Sequence, residues 1–266
     1  MRPPDDPTAW ARLLRSAAGD LPPIGARLGA GLIDAALLRC IHDPSPTRAP
    51  DAADPAPTPP GSNASGNPTV NASDVDSARD RARLTLLRPE ERIWRWVHDD
   101  DPALESLLLL GEGPLLPPPV PIGGLAWRES GEAAWAQAGW RAERWTIETW
   151  TEAELSALQA TLHRACADGG GKWLRRIASA RRWHLEHTQP DNATNRPWAI
   201  PVFLAPAVTG SGGAIEWGPA SEVEAAESRL YAETLLHNAM SQAFGAPNPL
   251  CAAILHDAAS LLDPRA

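Results

Sequence analysis

Between Trp183 and Trp198 the chain reads Trp-His-Leu-Glu-His-Thr-Gln-Pro-Asp-Asn-Ala-Thr-Asn-Arg-Pro-Trp. Two imidazoles, His184 and His187, stand one helical turn apart, and such groups can ligate a metal or move protons near neutral pH. The loop between Pro190 and Pro197 then concentrates hydrogen-bonding side chains between two large aromatics. His184, His187 and Asp191 form the candidate acid–base set. Gln189, Asn192, Asn195, Arg196 and Trp198, with His237 farther along, form the candidate ligand-binding set.

Helical periodicity decides how these groups face. Trp173, Ile177, Ala180, His184 and His187 recur at spacings of four, three, four and three, one apolar stripe of a helix. Both histidines are therefore expected to point inward together. Glu186 falls on the solvent side, beside Arg182 by the four-residue rule. A zinc protease helix needs His-Glu-x-x-His so that both imidazoles and the acid meet at the metal. Here the spacing is wrong and the acid is misdirected, which removes that chemistry. A different constellation stays open, with His237 or His256 approaching His184 and His187, and Asp191 or Asp257 as carboxylate. Such a donor set suits Zn or Fe. The competing account is that the imidazoles satisfy backbone carbonyls between helices. In the loop, Asp191, Asn192, Thr194 and Asn195 would simply build turns. No metal ligand set and no cofactor is assigned from the sequence.

The other chemistry-bearing patterns are weaker. Lys172 is the only lysine among 24 cationic residues. It follows Gly169–Gly171 and precedes a tryptophan, which breaks the phosphate-loop pattern. The run His98-Asp99-Asp100-Asp101 with Glu105 has the outline of an Asp-rich magnesium site, but it precedes Pro102 and reads better as a helix cap. Leu-His-x-Ala recurs at 162–165, 236–239 and 255–258, a faint repeat. The 12 tryptophans read mainly as core anchors, since each buries a large area.

Composition narrows the classes. A 266-residue chain is long enough for one sizeable core. Its net charge of −9 argues against a general binder of nucleic acid or anionic membrane. Cys40, Cys166 and Cys251 are odd in number and far apart, as expected of free thiols in a reducing cytoplasm. No signal peptide and no spanning segment is read.

Around the candidate site, residues 1–41 read as a helical N-terminal segment interrupted at Pro22-Pro23, too small to stand alone. Residues 42–74, rich in Pro, Ala, Ser and Asn, read as a disordered linker. Residues 75–266 read as a mainly helical domain. A helix starts at Pro89 and another covers 102–110, while 112–124 reads as extended. Arg144–Trp150 alternates like a strand, so a small β hairpin at most is expected. Thr151-Glu152-Ala153-Glu154 reads as a capping box opening a helix to 167. A helix over 172–189 ends before Pro190, and 197–204 is a short apolar segment. Ser221 with Glu224 opens a helix to 244, and Pro249 opens a last one to 262. The fold class expected is mainly α, built of helical hairpins.

The order helix, Gln189-Pro190-Asp191, Trp198, helix, followed by Tyr231-Ala232-Glu233-Thr234-Leu235-Leu236-His237, resembles a repeat unit of the α/α-toroid proteins, the terpene cyclase and prenyltransferase superfamily. The Gly-x-Trp ending of their motif and the cyclase Asp-x-Asp-Asp are absent, so the resemblance implies architecture over 151–262 and no catalysis. The 144–262 pattern is also similar to uncharacterised proteins of GC-rich bacteria, planctomycetes especially, which implies no activity. The leading expectation is a cytoplasmic binding module whose His/Trp-lined interior and 190–198 loop recognise a protein partner or small molecule. The alternative is an enzyme using His184, His187 and His237.

Overall fold

The computed structural model describes residues 6–21, 93–94, 96–97, 101–120, 129–138, 140, 145–168, 171–188, 194, 196–204, 221–241 and 249–263. Among the described residues the regular elements are eight α-helices and no strand. They are α1 Pro7–Gly19, α2 Pro102–Leu108, α3 Glu129–Gln137, α4 Ile147–Asp168, α5 Gly171–His187, α6 Ile200–Leu204, α7 Glu222–Met240 and α8 Pro249–Leu262. Ile93, Trp94, Trp96 and Val97 are helical as well. The expected linker 42–74, the second part of the N-terminal segment and the helix start at Pro89 lie outside the described residues.

Local signals account for several helix starts. Asp6 accepts the amides of Thr8 and Ala9 with Pro7 in the first turn, a position where a missing N–H costs nothing. Asp101 does the same for Ala103 and Leu104 ahead of α2, so the acidic run before Pro102 ends in a cap. Ser221 accepts the amide of Glu224 ahead of α7.

The expected strand over Arg144–Trp150 is corrected: Ile147–Trp150 form the first turn of α4. Thr146 lies at its head, where its Oγ1 accepts the Thr149 amide at 3.3 Å and its carbonyl accepts Trp150 N at 3.0 Å. These cap bonds outweigh the β propensity of a short Thr/Ile/Trp run, which is a weak preference. The capping box at Thr151 is corrected for the same reason. Thr151 lies one turn inside the helix, donating to the Ile147 carbonyl at 2.8 Å, and Glu154 is fully buried.

One core joins the elements. An isolated 13-residue helix such as α1 is marginal in water. It is held by packing Trp10, Ala11, Leu14, Ala17 and Ala18 inward against α8, and Arg15 donates to the Asp263 carbonyl. The N-terminal helix therefore docks on the main body. Short α6 lies at the centre, in contact with α4, α5, α7 and α8. Residues early in α4 meet residues late in α5, as the Trp150–Trp183 ring contact at 6.0 Å shows. Trp10, Trp94, Trp96, Trp135, Trp140, Trp150, Trp173, Trp183 and Trp198 are all buried, so they serve as core anchors. No helix among the described residues is long and apolar enough to cross a membrane.

Candidate functional site

The structure separates the residues that the sequence groups together. His184 is fully buried. Its Nε2 lies 3.3 Å from Glu154 Oε1 and its Nδ1 lies 3.0 Å from Thr188 Oγ1. That hydroxyl is also 2.8 Å from the Tyr231 hydroxyl. Both ring nitrogens thus have protein partners. His187 does not share this environment: its ring stacks on Trp183 at 5.2 Å, its Nδ1 donates to the Trp183 carbonyl at 3.0 Å, and it is partly exposed. The expectation that both histidines face inward together is corrected. Trp183 takes an inward position, leaving His187 at the margin. Glu186 is exposed, as expected, with a carboxylate oxygen 3.9 Å from His187 Nδ1.

His237 is exposed on α7 and His256 is exposed on α8, so neither approaches buried His184. Among the described residues no three His, Cys, Asp or Glu side chains come together to hold a metal ion. Gln189, Asp191, Asn192 and Asn195 lie outside the described residues. Arg196 is buried and pairs with Glu152. Trp198 is fully buried, its ring 5.7 Å from that of Trp94. Thr194 Oγ1 accepts the Arg196 amide at 3.0 Å, the turn-building use of such a residue.

Three groups carry more of the site than the sequence indicated. Glu154 accepts the amides of Leu115 and Leu116 at 2.6 and 2.7 Å, one on each oxygen. Buried Arg176 donates to the carbonyls of Leu108 at 2.8 Å and Gly113 at 2.6 Å, and to that of Pro114. Burial lowers its guanidinium to about 10, opposed by the charge of Glu154. The group is therefore still a cation at neutral pH. Gly111 and Gly113 have φ of 76° and 97°, a region glycine enters without a steric penalty. The loop after α2 is thus pinned from within by one anion and one cation on complementary backbone groups.

The third group is His163 with Asp257, at 2.9 Å. Gln159 donates to the same carboxylate oxygen at 2.6 Å, and its own Oε1 accepts the amide of Ala199 at 2.9 Å. Ala199, at φ 61°, sits in the left-handed region that costs a non-glycine residue about 1 kcal/mol or more. In the sequence, Asp257 stands out as a candidate carboxylate, and the Leu-His-x-Ala recurrence contains both His163 and Asp257.

Outside the pinned loop, a shallow groove of about 470 Å³ runs between it and α5. Leu109, Gly111 and Glu112 line one side and Lys172, Arg175, Arg176, Ser179 and Arg182 the other. Lys172 is ion-paired with Glu105. Arg175 and Arg182 are exposed and make no hydrogen bond or ion pair with a described residue. Within an acidic chain, this face of α5 concentrates positive charge. No family model, no curated protein and no solved structure matches the chain.

Proposed function

We propose that the chain is a helical-hairpin binding module whose recognition surface is the cationic groove beside α5. One observation carries this reading. Arg175 and Arg182 stand exposed and without acidic partners among the described residues, on a groove wall facing a loop that Arg176 and Glu154 pin from within. A wall fixed in advance loses little freedom on binding, which favours affinity. The groove is open and lined mainly by charged and polar side chains, which suits a charged ligand better than an apolar one. The reading places recognition on the outside of the bundle, because the His184 interior is closely partnered. A cytoplasmic location and a preference for a protein or small molecule over nucleic acid belong to the same proposal.

A thermal-shift series with citrate, inorganic triphosphate and an oligoglutamate peptide tests it. The wild-type chain is expected to gain stability saturably with at least one of these, and the gain should shrink in 0.5 M salt, about where screening shortens to a few Å. The Arg175→Ala/Arg182→Ala variant should lose the gain. Equal responses from both proteins would remove the reading.

One arrangement favours an acid–base alternative, and it lies at His163 rather than at His184, His187 and His237. A histidine held by a carboxylate that is itself oriented by a third group is the arrangement a general base uses. Half-buried His163 with Asp257 and Gln159 has that form. Hydrolysis of activated esters at pH 7, abolished by His163→Ala and retained in Arg175→Ala, would favour this alternative.

A further inference from the structure

The ligand chemistry of the groove follows from the spacing of its cations, and the inference rests on the binding reading above. Arg175 and Arg182 are seven positions apart on one helix, a rise of about 10 Å. Ser179 lies between them on the same wall and its Oγ accepts the Gly113 amide at 3.3 Å. The two charges therefore leave the helix about two turns apart along the groove wall and offer two anchors to an extended acidic ligand.

We infer that the groove binds an extended acidic peptide segment of a partner protein, with Arg175 and Arg182 each taking one carboxylate. In a polyproline II strand every third side chain returns to the same face after about 9 Å. Two acids three residues apart thus match the rise between helix positions 175 and 182. A guanidinium takes a carboxylate in paired, parallel hydrogen bonds. The floor adds positive charge from Arg176, whose guanidinium is held in place by the backbone carbonyls of Leu108 and Gly113. Lys172 is partly neutralised by Glu105, and Glu112 on the opposite wall repels an acid placed near it. The two arginines are therefore the residues on which affinity depends. An extended segment also suits an open groove, since it needs no enclosed cavity.

The test uses the full chain and fluorescence anisotropy of three labelled probes: a peptide repeating Glu-Pro-Pro, the same composition with its glutamates adjacent, and a single-stranded oligonucleotide. Unlabelled inorganic triphosphate serves as competitor. The spaced peptide is expected to bind about 5-fold or more tightly than the clustered one. Arg175→Ala and Arg182→Ala are each expected to weaken it about 5- to 10-fold, in keeping with the loss of one charged contact. Circular dichroism of both variants checks that their folding is unchanged. Equal binding of the two peptides would overturn the inference. Tighter binding of triphosphate or oligonucleotide, lost in both variants, would overturn the peptide assignment while leaving the groove as the binding surface. No arginine-dependent binding of any probe would overturn both.

Discussion

Arg176 and Glu154 grip opposite polar groups of one loop. The guanidinium donates to the carbonyls of Leu108, Gly113 and Pro114, while the carboxylate accepts the amides of Leu115 and Leu116. Both side chains are buried. Their attraction offsets part of the desolvation that lowers Arg176. Removing one partner should therefore cost far more than an exposed ion pair is worth. Arg176→Met is expected to destabilise the fold by about 3–5 kcal/mol. Glu154→Gln keeps one acceptor and should cost about 1–3 kcal/mol. Urea denaturation of the two variants measures both, and a loss under 1 kcal/mol for Arg176→Met would contradict the pinned loop.

The corrected start of α4 separates two threonines. Thr146→Ala removes a cap bond and should cost about 1 kcal/mol. The exposed carboxylate of Glu148 is held below the usual range by its own backbone amide and then by the Thr146 hydroxyl. That small contribution is present above the ordinary carboxylate value and lost as pH falls through the lowered one. Thr146→Ala should therefore lose more stability at pH 7 than at pH 3, as urea melts at the two values would show. A start at Thr151 would predict the cap penalty for Thr151→Ala instead.

Indole partners divide the tryptophans. Trp94 donates to buried Ser156 at 2.8 Å, whereas the buried N–H of Trp173 has no acceptor among the described residues. Phenylalanine at either site removes the N–H and some ring volume. Only Trp94→Phe also leaves a hydroxyl unpaired, so it should cost about 1–2 kcal/mol more than Trp173→Phe. Equal losses in thermal melts would contradict the bond.

Cys166 lies at the surface, yet desolvation by the surrounding protein pushes its thiol up. Less thiolate at a given pH means slower alkylation. With the folded value raised, the stabilising effect is complete below the ordinary thiol value and is lost as pH rises through the raised one. Iodoacetamide labelling at pH 8 should run slower at Cys166 in the folded chain than in urea, measured by mass spectrometry of the Cys166 peptide. A faster folded-state rate would contradict the shift.

How much was legible depended on whether a signal was local. α5, α7 and α8 followed from apolar spacing, Ser221 and Pro249, and Asp101 announced its cap. The α4 start was misread because Thr-x-x-Glu at 151–154 imitates a box, while its glutamate serves amides 38 and 39 positions away. Nothing near Glu154 or Arg176 in sequence marks such long-range bonds. His187 shared a stripe with His184 on paper, but a bulky neighbour at 183 took the inner place. The groove is not legible in the sequence, because its two walls come from segments far apart in the chain.

Backbone amide shifts in a ¹⁵N NMR titration with the Glu-Pro-Pro repeat peptide test the central claim most directly. Recognition at the groove predicts changes confined to Gly111–Gly113 and to Arg175, Ser179 and Arg182, with their flanking amides. His184, Thr188 and Tyr231 should stay in place. Changes centred on those three residues, with Arg175 and Arg182 unmoved, would contradict the account and return recognition to the interior.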